Sequence, residues 1–416
     1  MHRVVITGIG AISPYGEGTA RFFEGLRSGT PAIVSPTLFH DTSIESQVVG
    51  EVPAFDPARF VGPKDLKRVP RVVPMAIGAA REAFASAGVT LEALDTAGRQ
   101  NIGVLIGTGG GGIEFAEKQY EEYFAKNNTR HVTPYCISSS LVGMLSSEVS
   151  IALNLHGRSH VLSTGCTSST DAMGYAYQLI SGGHEQMLLT GGAEACITRG
   201  LMAGFCQMGI VSTHFNAAPS KASRPFDRDR DGFVLGEGAW MFVMESFESA
   251  SRRGAKIFAE IMGYASTCDA YHRVAAKQDG IEPARAMTLA LKHARKRPEE
   301  IDLVHLHGTS TQMNDVVETR ALKIAFGDEA KKIPMTALKS LIGHPQGACG
   351  ASQMLSAVFS LENSWIPPTA NLETPDPECD LDYTPNTGKA KKIDSILCNT
   401  IAFGSKNSAL VLQRFR

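Results

Sequence analysis

Two hydrophobic periods alternate along the chain. Runs of consecutive apolar, β-favouring residues at 3–6, 102–106, 161–163 and 187–190 read as short buried strands, while 71–88, 138–155 and 167–182 carry helical spacing. After residue 245 the rhythm begins again, with strands predicted at 257–263, 301–305, 396–400 and 410–412, and helices at 284–295, 315–326 and 347–362. Such alternation predicts an α/β fold of largely parallel sheets covered by helices. The restart places a break near residue 255, between an N-terminal half over 1–255 and a C-terminal half over 256–416. The charged, turn-rich segment 222–232 reads as a surface excursion returning into the alternating run 233–244.

Composition narrows the class. With 416 residues and 43% hydrophobic content the chain can bury a large core. No apolar run approaches the roughly 18 residues that span a bilayer, so no membrane segment is expected. The N-terminus turns to glycine almost at once and reads as a first strand rather than a signal peptide, which makes the cytoplasm the expected location. Basic and acidic residues balance at 40 against 42, leaving no global field for nucleic acid. An acidic partner must then meet a local patch, for which Lys64, Lys67, Arg68 and Arg71 with Arg130 are candidates. The eight cysteines form no C-x-x-C pair, which argues against a zinc site and a disulfide framework.

One cysteine has a special context. Cys166 follows a short strand and Gly165, and precedes the hydroxyl-rich helix start Thr167, Ser168, Ser169 and Asp171. Those side chains are expected to accept hydrogen bonds from the free N–H groups of the first turn. The helix dipole is then expected to favour a thiolate with a lowered pKa. The segment 107–112 satisfies G-x-G-x-x-G, but the acidic residue that dinucleotide sites need about 20 residues on falls where the chain has Arg130 and His131. A loop needing close backbone approach fits that glycine run better.

Two histidines lie in glycine-containing loops after predicted strands, His307 beside Gly308 and His344 beside Gly343. Loops at the carboxyl ends of strands converge on one site, so both can meet Cys166. His305 lies deeper in its strand and is expected to be packed. Phe403, before Gly404, heads a further loop whose backbone N–H can help bind an oxyanion.

Taken together, Gly165-Cys166-Thr167-Ser168, Arg224-Pro225-Phe226-Asp227, the segment 231–238, His307-Gly308-Thr309-Ser310-Thr311, Lys339-Ser340, Gly343-His344 and Phe403-Gly404 resemble the elongating β-ketoacyl-acyl-carrier-protein synthases. Within that family the stretch around Cys166, with Asp171 and Gly174-Tyr175-Ala176, looks most like the catalytic ketosynthase subunit of bacterial type II polyketide synthases. A housekeeping fatty-acid ketosynthase is the alternative. The resemblance implies a thiolase-like fold, two similar α/β halves forming a five-layered αβαβα core, dimeric with a second copy or a chain-length-factor-like homologue. It implies decarboxylative Claisen condensation, with Cys166 carrying the acyl chain and the N–H groups of Cys166 and Phe403 forming the oxyanion hole. His307 and His344 would grip the malonyl thioester, Lys339 would support them, and Asp315 and Glu318 would stand behind. Thr309 and Thr311 would bind the phosphopantetheine arm of an acyl carrier protein, so no resident cofactor or metal is expected. The basic patch is the expected docking face for that carrier.

The chain departs from the family pattern in places. Gln353 stands where these enzymes usually carry Glu, altering the charge near Lys339. The loop 403–407 lacks the usual Gly-Gly-Thr-Asn ending, leaving gating by Phe403 open. Gly110 and Cys136 replace bulky apolar pocket residues, while Phe205 keeps another pocket position; a wider acyl tunnel is one reading, and a tight turn at Gly110 the other. A degradative thiolase would need a second cysteine where this chain has Phe403.

Overall fold

The computed structural model describes residues 1–404 and 406–416. Ten strands of its main sheet lie in the order Met335–Thr336, Leu303–His305, Ser395–Ala402, Lys406–Gln413, Ala259–Cys268, Val4–Ser13, Gly238–Ser246, Met187–Glu194, Ile102–Gly107 and Ser159–Leu162. The two central strands join through the short antiparallel register Val4 to Ile261, Val5 to Glu260 and Ile6 to Ala259. Outward from that joint each side repeats one pattern, two antiparallel pairings followed by two parallel ones. The sheet is therefore mixed, not largely parallel. Strands 395–402 and 406–413 are neighbours in sequence, and so short a connection permits only an antiparallel pair.

Period-two patterning then builds the layers. Along Gly238–Ser246, Trp240, Phe242 and Met244 enter one core while Ala239, Met241 and Val243 enter another. In the other half, Leu410 and Leu412 share the first core, and Ala409 and Val411 enter a third. Strands apolar on both faces need cover on both sides. Helices Val72–Ser86 and Met144–Leu153 cover one outer face, and Ile281–Ala294 and Gln312–Phe326 the other. Between the half-sheets lie Ser168–Ser181 and Cys349–Asn363, the latter buried from Cys349 through Leu361. Helix, sheet, helix, sheet, helix is the resulting five-layered order.

Three departures from the sequence reading have physical causes. The first strand runs through Ser13 rather than stopping at the glycines, because Gly8 and Gly10 serve close packing: a Cβ there would run into the carbonyl oxygens of Ala83 and Ala79 on helix Val72–Ser86. The region predicted as one helix over 138–155 is two, Cys136–Ser140 and Met144–Leu153, with Leu141 extended between them.

The segment 222–232 is no surface excursion, since Arg224, Phe226, Asp227 and Arg230 are all buried. Arg228 and Asp229 are exposed, whereas the buried charges are paired: Arg224 Nε donates to Asp227 at 2.9 Å, and Arg230 donates to Asp376 at 2.6 Å with Asp315 3.4 Å away. Paired and hydrogen-bonded charge is what an interior can tolerate. Arg230 also donates to the carbonyls of Thr311 and Gln312, and Ser310 Oγ accepts from Arg224 N, so this buried segment braces the loop after His307.

Gly10→Ala is expected to destabilise the fold by about 1–3 kcal/mol through overpacking against Ala79. A lowered urea midpoint at unchanged slope is the expected result; an unchanged midpoint would show that the helix can retreat.

Candidate active site

Cys166 sits where the chain leaves strand Ser159–Leu162 and enters helix Ser168–Ser181. Gly165 makes the turn at φ 77°, a conformation that side chains with a Cβ rarely adopt. The expected side-chain caps are absent. Thr167 makes no cap hydrogen bond; Ser168 Oγ donates to Gly165 O at 2.5 Å and accepts from Thr164 N at 2.9 Å. Ser169 Oγ instead accepts from Ala351 N at 2.9 Å, tying this helix start to Cys349–Asn363. Asp171 takes hydroxyl donors from Thr164, Tyr264 and Ser408. Tertiary partners have replaced local ones.

The C-terminal half brings two imidazoles to the sulfur. His344 Nε2 lies 3.2 Å from Cys166 Sγ, and the His307 and His344 rings stand 5.3 Å apart at 87°. The sulfur and one nitrogen of each ring lie within 4.8 Å of one another. Lys339 Nζ donates to His307 O at 2.6 Å and approaches His307 Nδ1 at 3.3 Å. Glu318 accepts from the backbone N–H groups of His307 and Gly308 at 2.7 and 2.8 Å, and Asn399 Nδ2 donates to it at 2.7 Å. Asp315 accepts from Phe226 N at 2.8 Å, and Gln353 Nε2 donates to Leu306 O. Lys339, Glu318 and Gln353 thus hold the backbone at 306–308, around His307. His305 is buried with neither ring nitrogen hydrogen-bonded among the described residues, and burial pulls its pKa down to about 3.

Electrostatics reverse one expectation. Burial pushes the Cys166 thiol up, well above the ordinary range, and the neighbouring Cys349 adds to this; Lys339 and the Phe403 N–H pull it down without prevailing. Desolvation of the sulfur is the largest of these influences, and it works against the thiolate that a helix start favours. Burial, then the Lys339 charge, hold His307 and His344 well below the usual histidine range. Both shifts favour the neutral forms, thiol and imidazole.

Cys166, His307, His344, Thr309, Thr311 and Phe403 line one cavity of about 370 Å³. A second cavity, of about 230 Å³, is lined by Gly110, Phe205, Ile113, Leu201, Gly165 and Cys196 among others. Cys136 is buried and lines neither of these two cavities. At Gly110, on the wall of that second cavity, a Cβ would come within 2.6 Å of Cys196 Sγ and 2.9 Å of Ile113, so the missing side chain also serves close packing there. Of the loop 403–407, Ser405 lies outside the described residues.

The glycine run 107–112 binds no phosphate here, since its donors are taken. Buried Glu194 accepts from Gly109 N at 2.6 Å, Gly110 N at 3.0 Å and Thr108 Oγ1 at 3.1 Å, and also from Gly347 N at 3.0 Å in the loop after His344. Glu194, Asn399 and Gln346, whose Oε1 lies 3.8 Å from Cys166 Sγ, are site residues that the sequence reading missed. Glu194, a carboxylate at the end of an apolar strand, was the available signal. Arg71 of the basic patch also changes role: it is engaged bidentately with buried Glu237, at 3.0 and 2.8 Å.

A cysteine and two neutral histidines at a cavity floor, braced from both halves of a thiolase-like fold, define an enzyme that exchanges and joins thioesters. The chain belongs to the β-ketoacyl synthase family: residues 1–250 match the beta-ketoacyl synthase N-terminal domain and 258–373 the C-terminal domain. It is 39% identical over 414 residues to 3-oxoacyl-[acyl-carrier-protein] synthase 2 of Synechocystis sp., covering 100% of this chain and 98% of that protein. It is 38% identical over 419 residues to the tetracenomycin polyketide synthase ketoacyl synthase alpha subunit of Streptomyces glaucescens, covering 99% and 97%. Among solved structures, the ishigamide ketosynthase/chain length factor superposes with TM-score 0.92 at 33% identity over the full length of both chains. A type II polyketide synthase acyl-carrier protein in complex with its ketosynthase bound to the hexaketide gives TM-score 0.92 at 29% identity, again covering both chains fully.

Because burial raises the Cys166 pKa above the ordinary thiol value, its alkylation by iodoacetamide is expected to accelerate continuously from pH 6 to beyond about 8.5. Mass spectrometry of the Cys166 peptide checks this. A rate already level across pH 6–8 would indicate a resting thiolate–imidazolium pair instead.

Proposed function

We propose that this protein is a β-ketoacyl-acyl-carrier-protein synthase acting as the ketosynthase subunit of a type II polyketide synthase, its two halves over 1–255 and 256–416 supplying nucleophile and histidines respectively. The observation that carries the reading is the 3.2 Å approach of His344 Nε2 to Cys166 Sγ, with His307 in the same cavity. In the first half-reaction the Cys166 thiol gives its proton to His344 as sulfur attacks the acyl thioester carbonyl. The N–H groups of Cys166 and Phe403 hold the oxyanion, a role supported by the Phe403 N–H stabilising negative charge on that sulfur. The proton then leaves on the departing pantetheine thiol, and the acyl group remains on Cys166.

The second half-reaction uses both rings as donors. With the Lys339 ammonium facing Nδ1 of His307, that nitrogen serves as acceptor and the neutral ring carries its proton on Nε2. Nδ1 of His344 is buried without a hydrogen-bond partner among the described residues, so nothing there locks its tautomer. His344 can therefore accept from the thiol in one step and donate in the next. Two N–H groups on the malonyl thioester oxygen stabilise the enolate left by CO2 loss, which attacks the Cys166 thioester and releases the sulfur. Neutral rings suit this task because they donate without already being charged, and Lys339 keeps them neutral.

Thr309 and Thr311, whose hydroxyls lie 2.9 Å apart on the cavity wall, would receive the phosphopantetheine arm. Lys64, Lys67 and Arg130 are exposed and would meet the acidic carrier, with Arg71 committed to Glu237. Ile137, Leu141 and Ile151 are exposed apolar side chains that a second copy or a chain-length-factor-like homologue would cover. Housekeeping fatty-acid elongation is the second reading, favoured by the 39% identity to a 3-oxoacyl-acyl-carrier-protein synthase across the whole chain.

Cys166→Ala is expected to abolish acyl-enzyme formation while CO2 release from malonyl-carrier protein persists. His307→Ala should lower that CO2 release about 10²–10³-fold, as losing one oxyanion donor does elsewhere. Mass spectrometry and a ¹⁴CO2 assay read the two steps; an acyl group trapped on another cysteine of Cys166→Ala would overturn the assignment. Lys67→Glu should raise KM for carrier-bound substrate and leave a small thioester analogue unaffected, whereas equal effects on both would exclude carrier docking at this patch.

A further inference from the structure

Gln346 is the only described residue that lines both cavities. Its Oε1 lies 3.8 Å from Cys166 Sγ, its Nε2 is buried without a hydrogen-bond partner, and its backbone holds φ 38°, outside the region non-glycine residues prefer. On the ketosynthase reading above, the malonyl arm fills the first cavity during condensation. The acyl chain on Cys166 must then leave by another route. Gly165, next to the nucleophile, lines the second cavity together with Ile113, Leu201 and Phe205, which offer an apolar surface to the distal chain. Any chain running from the sulfur into it passes the Gln346 amide within its first few carbons.

A buried primary amide with an unmet donor is costly, and a site with a donor to satisfy discriminates strongly against ligands lacking the matching acceptor. We propose that Gln346 is a specificity-determining residue, its side-chain amide donating to an oxygen on the β-carbon of the Cys166-bound acyl chain and so selecting 3-oxoacyl over fully reduced chains. The incoming chain displaces the amide from beside the sulfur, and the freed N–H meets the β-oxygen. A saturated chain displaces the same amide and offers it nothing. Glu194 and the glycine run cannot take this role, because their hydrogen-bonding groups already satisfy one another.

The test is acylation of the full-length protein by N-acetylcysteamine thioesters of 3-oxohexanoate and hexanoate, followed by intact-protein mass spectrometry. The bond from Sγ to the acyl carbon forms as the donor C–S bond breaks, and the thiol proton ends on released N-acetylcysteamine. The wild type is expected to favour the 3-oxo donor by about tenfold in second-order rate, the worth of one satisfied buried hydrogen bond. Gln346→Leu should remove that preference by slowing the 3-oxo donor and speeding the saturated one, and Gln346→Met provides a second apolar variant should leucine disturb the loop. Equal wild-type rates, or an undiminished ratio in a folded apolar variant, would overturn the inference while leaving the condensation reading intact. Acylation by neither donor would overturn both.

Discussion

The contact on which this molecule depends is one hydrogen bond, between a sulfur from the first half and an imidazole from the second. Cys166 and His344 are separated by 178 positions, yet Sγ and Nε2 stand at 3.2 Å in a buried setting. Neither group can be left there unaided. A buried thiol resists ionisation and a buried imidazole resists protonation, so burial favours the neutral form of each. Most of the surrounding architecture can be understood as holding these two atoms at that separation.

Three devices do so. The central helices are cross-linked by Ser169 and Ala351, which fixes the nucleophile's turn against the element that follows the His344 loop. Glu194 gathers N–H groups from the glycine run and from Gly347, so that a single carboxylate ties a first-half loop to a second-half loop. Behind His307, Glu318 takes two backbone donors and Asn399, while the buried Arg224–Asp227 and Arg230–Asp315 pairs stiffen the loop from below. Buried charge of this kind contributes little net stability, but removing one partner leaves the other uncompensated. Its value here is positional.

The repeated sheet explains why two halves meet at one site. Each half has its own outer helices and its own parallel edge, and the two pack through a shared middle layer. The nucleophile follows a parallel strand in one half, and His307 follows a parallel strand in the other. Loops at these strand ends face each other across the central helices, so the cavity forms only where both halves are present.

Much of this was legible in the chain itself. Hydrophobic periodicity gave the alternation of strands and helices and its restart after residue 245, because apolar spacing is imposed by the faces an element must bury. Cys166, His307 and His344 stood out because their glycine-marked loops follow strands, Lys339, Thr309 and Thr311 only through the family resemblance, and the structure brings them to one place. The length of the first strand was hidden, since Gly8 and Gly10 mark helix contact and turn formation alike in sequence. The effect of burial on the sulfur was hidden for a related reason: a helix start is a local feature, whereas desolvation is set by residues from everywhere in the fold. Gly110 shows the same limit, because sequence alone does not tell a glycine that opens space from one that serves close packing. Local pattern thus determined which elements form and which groups carry chemistry. Burial, charge state and the joining of Glu194 and Gln346 to the site were decided by tertiary packing, because each depends on atoms distant in sequence.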